Sequence, residues 1–195
     1  MPRLHVDDSL LLVIDAQDGF YPPSRADVDQ AAKNAALDRA GWVCGVAVAL
    51  NVPVLVTEED AARNGGTAGP ISRWLSAGAP VFTKSVFGAF GNPDIAEAVA
   101  ATGRGTIVIV GMETDVCVAH TAIGAVERGL RPVIVHDAVF SAGEGHSNGL
   151  ARLSAEGIER LSAKELYYEW LRDLPAVRAF DAAHPELATP PGFSL

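Results

Sequence analysis

Short apolar runs rich in valine, isoleucine and leucine alternate with longer stretches of helical character, and this alternation restricts the fold more than any other feature. The strand-like runs cover residues 10–15, 53–57, 80–84, 106–111 and 132–137, with a weaker sixth near 157–161. Strands buried on both faces of a parallel sheet have this uninterrupted apolar character. The pattern predicts parallel strands joined by crossover helices.

The segments between the runs favour helices. Residues 28–50 are rich in alanine, residues 93–102 open with proline after an asparagine, residues 115–128 stop at a glycine, and residues 162–171 are a late candidate. Asparagine and proline are common at helix starts, and glycine is common just after helix ends. We therefore expect one α/β domain over residues 1–195, with a doubly wound, Rossmann-like, mostly parallel six-stranded sheet and helices on both faces.

Charge and composition exclude several classes of partner. The formal net charge is −9, from 15 basic and 24 acidic residues, with no basic cluster to attract phosphate groups. No apolar run approaches the roughly 18 residues that suggest a membrane span, and residues 1–8 lack the pattern of a secretory signal. The two cysteines form no disulfide framework. We expect a cytoplasmic protein that binds neither nucleic acid nor membrane.

Polar residues stand where the strand-like runs end, and ligands of doubly wound sheets bind at the carboxyl ends of strands. These residues are Asp15, Glu58, Glu59, Lys84, the turn at 112–117 and Asp137. Cys117 falls in the first turn of a predicted helix, where unpaired amides and the helix dipole favour a thiolate. The set thus contains a nucleophile, a proton acceptor and a cation.

Each of these residues also has a purely structural interpretation. Cys117 alone can equally be a small packing residue, Asp15 a strand-end cap and Lys84 a solvated loop cation. However, Asp15 and Lys84 directly end strongly apolar strands, where an unpaired charge is costly. We therefore expect these two side chains to be paired.

Three segments also carry a family resemblance. They read LLVIDAQDGF around Asp15, FTKSVFGAF around Lys84, and VIVGMETDVCVAHTAIGAVERGLRPVIVHDA around Cys117. In these segments the chain resembles the isochorismatase-like cysteine hydrolase superfamily, which includes nicotinamidases and N-carbamoylsarcosine amidohydrolases. The resemblance implies that Asp15 is the general base, that Lys84 orients groups and stabilises charge, and that Cys117 attacks a carbonyl.

The same resemblance implies a cis peptide bond between Met112 and Glu113 and an oxyanion hole made by the backbone amides of Glu113 and Cys117. The function that follows is a metal-independent amidohydrolase. It would cleave a C–N bond of a small amide, carbamoyl or related substrate through a thioester intermediate.

The loop after the second strand argues against a metal. Metal-bearing nicotinamidases place an aspartate and two histidines in and after this loop, whereas here it reads TEEDAARNGGTAGP, with no histidine between His5 and His120. We therefore expect no metal and no cofactor, and nicotinamide becomes a less favoured substrate.

Several further residues are candidates for the substrate pocket or for other roles. The predicted pocket residues are Gln17, Phe20, Glu59, Phe87 and Phe90. His120 lies three residues after Cys117 and so allows an alternative Cys-His dyad. An aromatic segment, Tyr167, Tyr168 and Trp170, suggests a subunit interface in a homo-oligomer, a dimer or larger.

Other functions remain open. An isochorismatase-type hydrolase or a nicotinamidase would share the architecture, and so would a catalytically silent, oligomeric binding or scaffold protein. A nucleotide-binding module is disfavoured, because no G-x-G-x-x-G motif follows the first strand.

Overall fold

Six parallel strands form one sheet in the order β3-β2-β1-β4-β5-β6 in the computed structural model, which describes residues 3–192. The strands are β1 (Ser9–Ile14), β2 (Val54–Glu59), β3 (Val81–Lys84), β4 (Thr106–Met112), β5 (Arg131–Phe140) and β6 (Glu159–Leu161). The chain reverses its winding direction between β1 and β4, the two central neighbours. The carboxyl ends of β1 and β4 therefore border the crevice where doubly wound sheets bind ligands.

The described residues contain eight α-helices, the first six between strands and the last two after β6. They are α1 (Gln30–Ala49), α2 (Ala61–Asn64), α3 (Gly69–Ser72), α4 (Pro93–Ala101), α5 (Ala119–Val126), α6 (Gly145–Ala155), α7 (Ala163–Leu171) and α8 (Leu174–Ala183). None of the helices in this part of the chain is long and apolar enough to cross a bilayer.

The sheet separates two hydrophobic cores. Helices α1, α3, α7 and α8 cover one face, and helices α4, α5 and α6 cover the other. Successive side chains of a strand point to opposite faces, so Leu11 and Val13 of β1 enter the first core while Leu10, Leu12 and Ile14 enter the second. The prediction of a doubly wound, single-domain sheet with helices on both faces is confirmed.

The predicted helix 115–128 is wrong in one respect that concerns the site. It is divided into a π-helical turn, Thr114–Val118, and the regular helix α5. Cys117 lies in the π-helical turn and not in the first turn of an α-helix. Such turns are rare in proteins, and those that occur are often found at functional sites.

Helix α6 is absent from the sequence prediction, because its first five residues, Gly-His-Ser-Asn-Gly, are poor helix formers. It forms because it packs directly on the turn that carries Cys117. A Cβ atom added to Gly149 would lie 2.7 Å from the backbone nitrogen of Asp115, so only glycine allows this approach. Tertiary contact therefore outweighs local propensity here.

The expectation of an aromatic surface at residues 167–170 is wrong for two of the three side chains. Tyr167 and Trp170 are buried in the first core, and the Trp170 indole donates a hydrogen bond to Ser9 Oγ at 3.1 Å. Only Tyr168 is exposed. The segment anchors α7 to β1.

Gly111 in β4 tests how closely the central strands approach beside the crevice. Its φ angle is 117°, and an added Cβ would lie 1.9 Å from the Ile14 carbonyl oxygen. We expect Gly111→Ala to lower the free energy of unfolding by about 3 kcal/mol or more, from the unfavourable φ and the steric overlap together. Urea denaturation monitored by circular dichroism measures this change.

Gly103→Ala is the matched control. Gly103 also has a positive φ, 66°, but no atom lies within 4 Å of an added Cβ. This variant should lose only about 1–2 kcal/mol. Equal losses in the two variants would show that steric overlap at Gly111 is unimportant.

Candidate active site

Asp15 follows β1 directly and is completely buried at the centre of the crevice. Its φ angle is 45°, in the left-handed region that residues other than glycine rarely adopt and that is often found at functional sites. The backbone amide of Asp15 donates to the Thr57 carbonyl oxygen at 3.0 Å, and the Thr57 hydroxyl donates to Asp15 Oδ1 at 2.7 Å. The neighbouring strand β2 thus fixes both the backbone and the carboxylate of Asp15.

Lys84 ends β3 and forms a buried ion pair with Asp15. Its Nζ lies 2.6 Å from Asp15 Oδ2, and both side chains have no exposed surface. The same ammonium donates to the carbonyl oxygen of Val86 at 2.9 Å. The pairing expected of two charges at the ends of apolar strands is present, because each charge would otherwise be buried without compensation.

Cys117 completes the contact. Its Sγ lies 3.6 Å from Lys84 Nζ, and only 1% of the residue is exposed. The thiol donates a hydrogen bond to Glu59 Oε2 at 3.2 Å. The structure therefore brings Asp15, Lys84 and Cys117 together, as the sequence predicted, and these three neighbouring residues are called the triad below. Glu59 is a further direct partner of the sulfur.

The surroundings of Cys117 act against the thiolate form that the sequence predicted. Burial, followed by the charge of Asp15, raises the pKa of the Cys117 thiol well above its usual value, although Lys84 opposes the change. Burial also raises the pKa of Asp15, against the lowering effect of Lys84. Desolvation and the nearby carboxylates thus oppose the thiolate that the sequence favoured, and Cys117 does not lie in the first turn of an α-helix. A neutral thiol beside a carboxylate requires proton transfer before attack.

The turn between β4 and the π-helical segment contains a cis peptide bond, between Met112 and Glu113. The Glu113 carbonyl oxygen accepts hydrogen bonds from the amides of Val116 and Val118. Tyr21, which the sequence did not indicate, donates its hydroxyl proton to the Glu113 carboxylate. These contacts hold the turn, whereas the oxyanion hole formed by Glu113 and Cys117 amides stays a prediction.

Of the five predicted pocket residues, Glu59 contacts the triad through its side chain, and Gln17 contacts it through its backbone amide, which donates to the Asp15 carbonyl oxygen at 2.8 Å. Gln17 is fully buried and uses its amide to hold two backbone groups, Glu59 N at 2.8 Å and Gly65 O at 2.6 Å. Phe20 packs against the first core, and Phe90 is buried in the second. Phe87 is 55% exposed. Gln17 therefore holds neighbouring backbone groups in place, and Phe90 packs in the second core. Their sequence pattern did not indicate these roles.

Two other strand-end carboxylates and the candidate histidine lie elsewhere. Glu58 accepts hydrogen bonds from the amide and hydroxyl of Thr67, both at 2.7 Å. Asp137 lies inside β5 and accepts from the Ala163 amide at 2.8 Å, at the start of α7. His120 is exposed, and its ring meets Phe87 with centroids 6.1 Å apart. The dyad alternative receives no support from this position.

A cavity of about 680 Å³ opens beside the triad. Its lining includes Glu59, Lys84, Ser85 and Asn92, so it is polar on the side of the triad. This volume is in the range of small-molecule sites.

Metal-ligating atoms gather at one place among the described residues. Oxygen atoms of Asp15 and Glu59 and the sulfur of Cys117 lie within 4.8 Å of one another. Lys84 already supplies a positive charge to both carboxylates, at 2.6 and 3.6 Å. A cation added here would meet that ammonium, so the set fits an ion-pair site better than a metal site, and the metal-free site stays a prediction.

The isochorismatase domain model matches residues 9–165 of the chain. The chain belongs to the isochorismatase family. The isochorismatase family protein YecD of Escherichia coli O157:H7 is 32% identical over 174 residues, covering 77% of this chain and 89% of YecD. The probable hydrolase YcaC of Escherichia coli K12 is 29% identical over 192 residues, covering 93% of this chain and 88% of YcaC.

Solved structures agree with this assignment. The crystal structure of Escherichia coli YcaC, an octameric hydrolase of unknown specificity, superposes with a TM-score of 0.79 at 26% identity, covering 96% of this chain and 93% of YcaC. YcaC from Pseudomonas aeruginosa, with hexane-2,5-diol and covalent acrylamide, gives a TM-score of 0.78 at 26% identity. The match covers 95% of this chain and 94% of that YcaC chain. The chain is thus an isochorismatase-family hydrolase.

The raised pKa of Cys117 gives a testable pH dependence. In the wild type, the rate of iodoacetamide alkylation at Cys117 should keep rising above pH 9, because the thiolate fraction continues to grow until the pH passes the raised pKa. Asp15→Asn removes a negative charge beside the sulfur and leaves Lys84, so the rise should shift to lower pH. Each unit of pKa decrease gives about tenfold more thiolate at a fixed pH below it. Peptide-resolved mass spectrometry measures the rates.

Cys44 provides the internal control. Burial alone raises its pKa to about 12, and no ionised group contributes. Its slow alkylation should be unchanged by Asp15→Asn. A wild-type Cys117 profile with a midpoint clearly below pH 9 would contradict the prediction.

Proposed function

We propose that the chain is a metal-independent cysteine hydrolase that cleaves a C–N bond of a small amide, carbamoyl or related compound through a thioester on Cys117. One observation carries the proposal: a fully buried Asp15–Lys84 ion pair is placed against a thiol, with Lys84 Nζ 3.6 Å from Sγ. Cys44, in contrast, is a thiol in an apolar core whose pKa is raised by burial alone. A packing residue needs no such charges, whereas a nucleophile needs a proton acceptor and a cation.

The proposed reaction begins with transfer of the Cys117 proton to Asp15. The sulfur then attacks the substrate carbonyl, and the oxyanion receives hydrogen bonds from the amides of Glu113 and Cys117. Lys84 stabilises the negative charge as it moves between carboxylate, sulfur and substrate. The proton on Asp15 passes to the leaving nitrogen, and ammonia or an amine departs. Water hydrolyses the remaining thioester.

The covalent acrylamide in YcaC from Pseudomonas aeruginosa supports this proposal. Acrylamide is itself a small primary amide and an electrophile that reacts with thiols. A relative of similar fold therefore combines a reactive group with access for a small amide. We extend both properties to the site around Cys117.

The nearly complete burial of Cys117 favours a second candidate, a catalytically silent scaffold protein. A thiol that no small molecule reaches would serve packing alone. The family membership leaves isochorismatase-type hydrolysis and nicotinamide hydrolysis as further alternatives within the hydrolase class.

We also propose that the chain forms a homo-oligomer. The support is the octameric assembly of Escherichia coli YcaC, which this chain matches over 96% of its length. Exposed apolar side chains, Phe87 and Leu174 among them, are available for contacts between subunits.

The central test is acyl transfer to Cys117. A panel of primary amides, carbamoyl compounds and lactams should include a compound that leaves an acyl adduct on Cys117, detected by intact-mass and peptide mass spectrometry. Cys117→Ala should abolish turnover of that compound while the fold is kept. Asp15→Asn should lower kcat by about 100- to 10,000-fold, the usual contribution of a general base.

Cys44→Ala is the matched control, because it removes the other thiol, which lies in the core on the opposite face of the sheet, and should leave kcat unchanged. Full activity of Cys117→Ala would exclude the cysteine mechanism. An unreactive Cys117, with no adduct from any compound, would favour the scaffold alternative.

A further inference from the structure

Two carboxylates flank the sulfur of Cys117, and they differ in their access to solvent. Asp15 has no exposed surface, and its oxygens are engaged by Thr57 Oγ1 at 2.7 Å and Lys84 Nζ at 2.6 Å. The side chain of Glu59 is 23% exposed and lines the cavity. Asp15 therefore lies on the sealed side of the sulfur and Glu59 on the open side.

The position of Glu59 is fixed from its backbone. Its amide donates to Gln17 Oε1 at 2.8 Å, and its carbonyl oxygen accepts from Asn64 Nδ2 at 2.9 Å. In the register of the sheet, Glu59 is the direct neighbour of Lys84 on β3. Two side chains therefore bind the backbone of Glu59, and one of them, Gln17, is completely buried. These contacts fix the position of Glu59 in the site.

A thioester on Cys117 needs a base that water can reach. Glu59 lines the cavity that is open to solvent and is partly exposed, whereas Asp15 is completely buried. The sulfur also needs a proton when it leaves, and Glu59 Oε2 is 3.2 Å from Sγ. A single carboxylate thus lies within reach of both the entering water and the departing sulfur.

We propose that Glu59 is a further catalytic residue, the general base that activates water for hydrolysis of the Cys117 thioester and then returns the proton to the sulfur. This inference rests on the proposed function. It divides the two half-reactions between two carboxylates: Asp15 serves formation of the thioester, and Glu59 serves its breakdown.

The proposed step is balanced. The water oxygen forms a bond to the thioester carbonyl carbon, and one water proton passes to the Glu59 carboxylate. The tetrahedral intermediate then re-forms its carbonyl as the C–S bond breaks. The sulfur takes the proton from Glu59, so that the free acid, the Cys117 thiol and the Glu59 carboxylate are restored. After this step the Cys117 thiol donates a hydrogen bond to the Glu59 carboxylate, which is the contact seen in the structure.

The test uses the full chain and the panel compound that the wild type turns over fastest. Glu59→Gln keeps the shape of the side chain and removes the base. We expect kcat to fall by about 100-fold or more, and most of the enzyme quenched during turnover should carry the acyl group on Cys117. Hydroxylamine, which attacks thioesters without a general base, should release that group as a hydroxamate and restore turnover.

Glu58→Gln is the matched control. The adjacent carboxylate binds Thr67 instead of the sulfur, and a glutamine oxygen can accept the same hydrogen bonds. This variant should keep the wild-type kcat and show no increase in acyl-enzyme. Thermal unfolding of both variants checks that the fold is intact.

Two results would overturn the role of Glu59 alone: wild-type turnover by Glu59→Gln, or a lower kcat without accumulation of the acyl-enzyme, which would place Glu59 before the thioester. If the wild type itself forms no adduct and turns over no compound, the proposed function fails, and the role of Glu59 fails with it. Turnover by the wild type separates these cases.

Discussion

The ion pair between Asp15 and Lys84 is the interaction on which the arrangement of the site depends. These residues end β1 and β3, which are not neighbours, and Thr57 of the intervening strand β2 bonds to Asp15. Loss of one partner from such a pair leaves a buried charge without compensation, a penalty of about 3–5 kcal/mol. The pair therefore fixes three strand ends relative to one another. Cys117 lies in the turn that follows a fourth strand, β4, and its sulfur contacts this ion pair.

The electrostatics of the site follow from this burial. Desolvation raises the pKa of both Asp15 and Cys117, so the site disfavours any additional negative charge. One cation, Lys84, lies near Asp15, Glu59 and Cys117 at once. Proton transfers among these groups move a charge within reach of the same ammonium, and the total charge of the site stays constant. A protonated thiol becomes a strong nucleophile only when a nearby base accepts its proton, and the carboxylates are the bases that this site offers.

The sequence predicted the sheet and the triad for a physical reason. A strand buried on both faces has to be apolar throughout, so a charge at its end stands out, and the carboxyl ends of parallel strands share one edge. Strand positions, Asp15, Lys84 and Cys117 were accessible by this argument and by the family resemblance. Helix α6 was not, because Gly149 contributes close packing on Asp115 and no helix propensity. The supporting hydrogen bonds of Gln17 and Tyr21 could not be predicted, since their partners lie 48 and 92 residues away in the sequence.

Glu59 shows where sequence reasoning could have gone further. It lies two residues after Thr57 on β2, so both side chains lie on the same face of the strand, the face on which Thr57 reaches Asp15. Alternation alone thus separates Glu59 from its neighbour Glu58, which turns away to Thr67. The register between β2 and β3 then puts Glu59 beside Lys84. That register is set by pairing across the sheet, which a single sequence does not contain. It places one of several acidic residues beside the sulfur of Cys117.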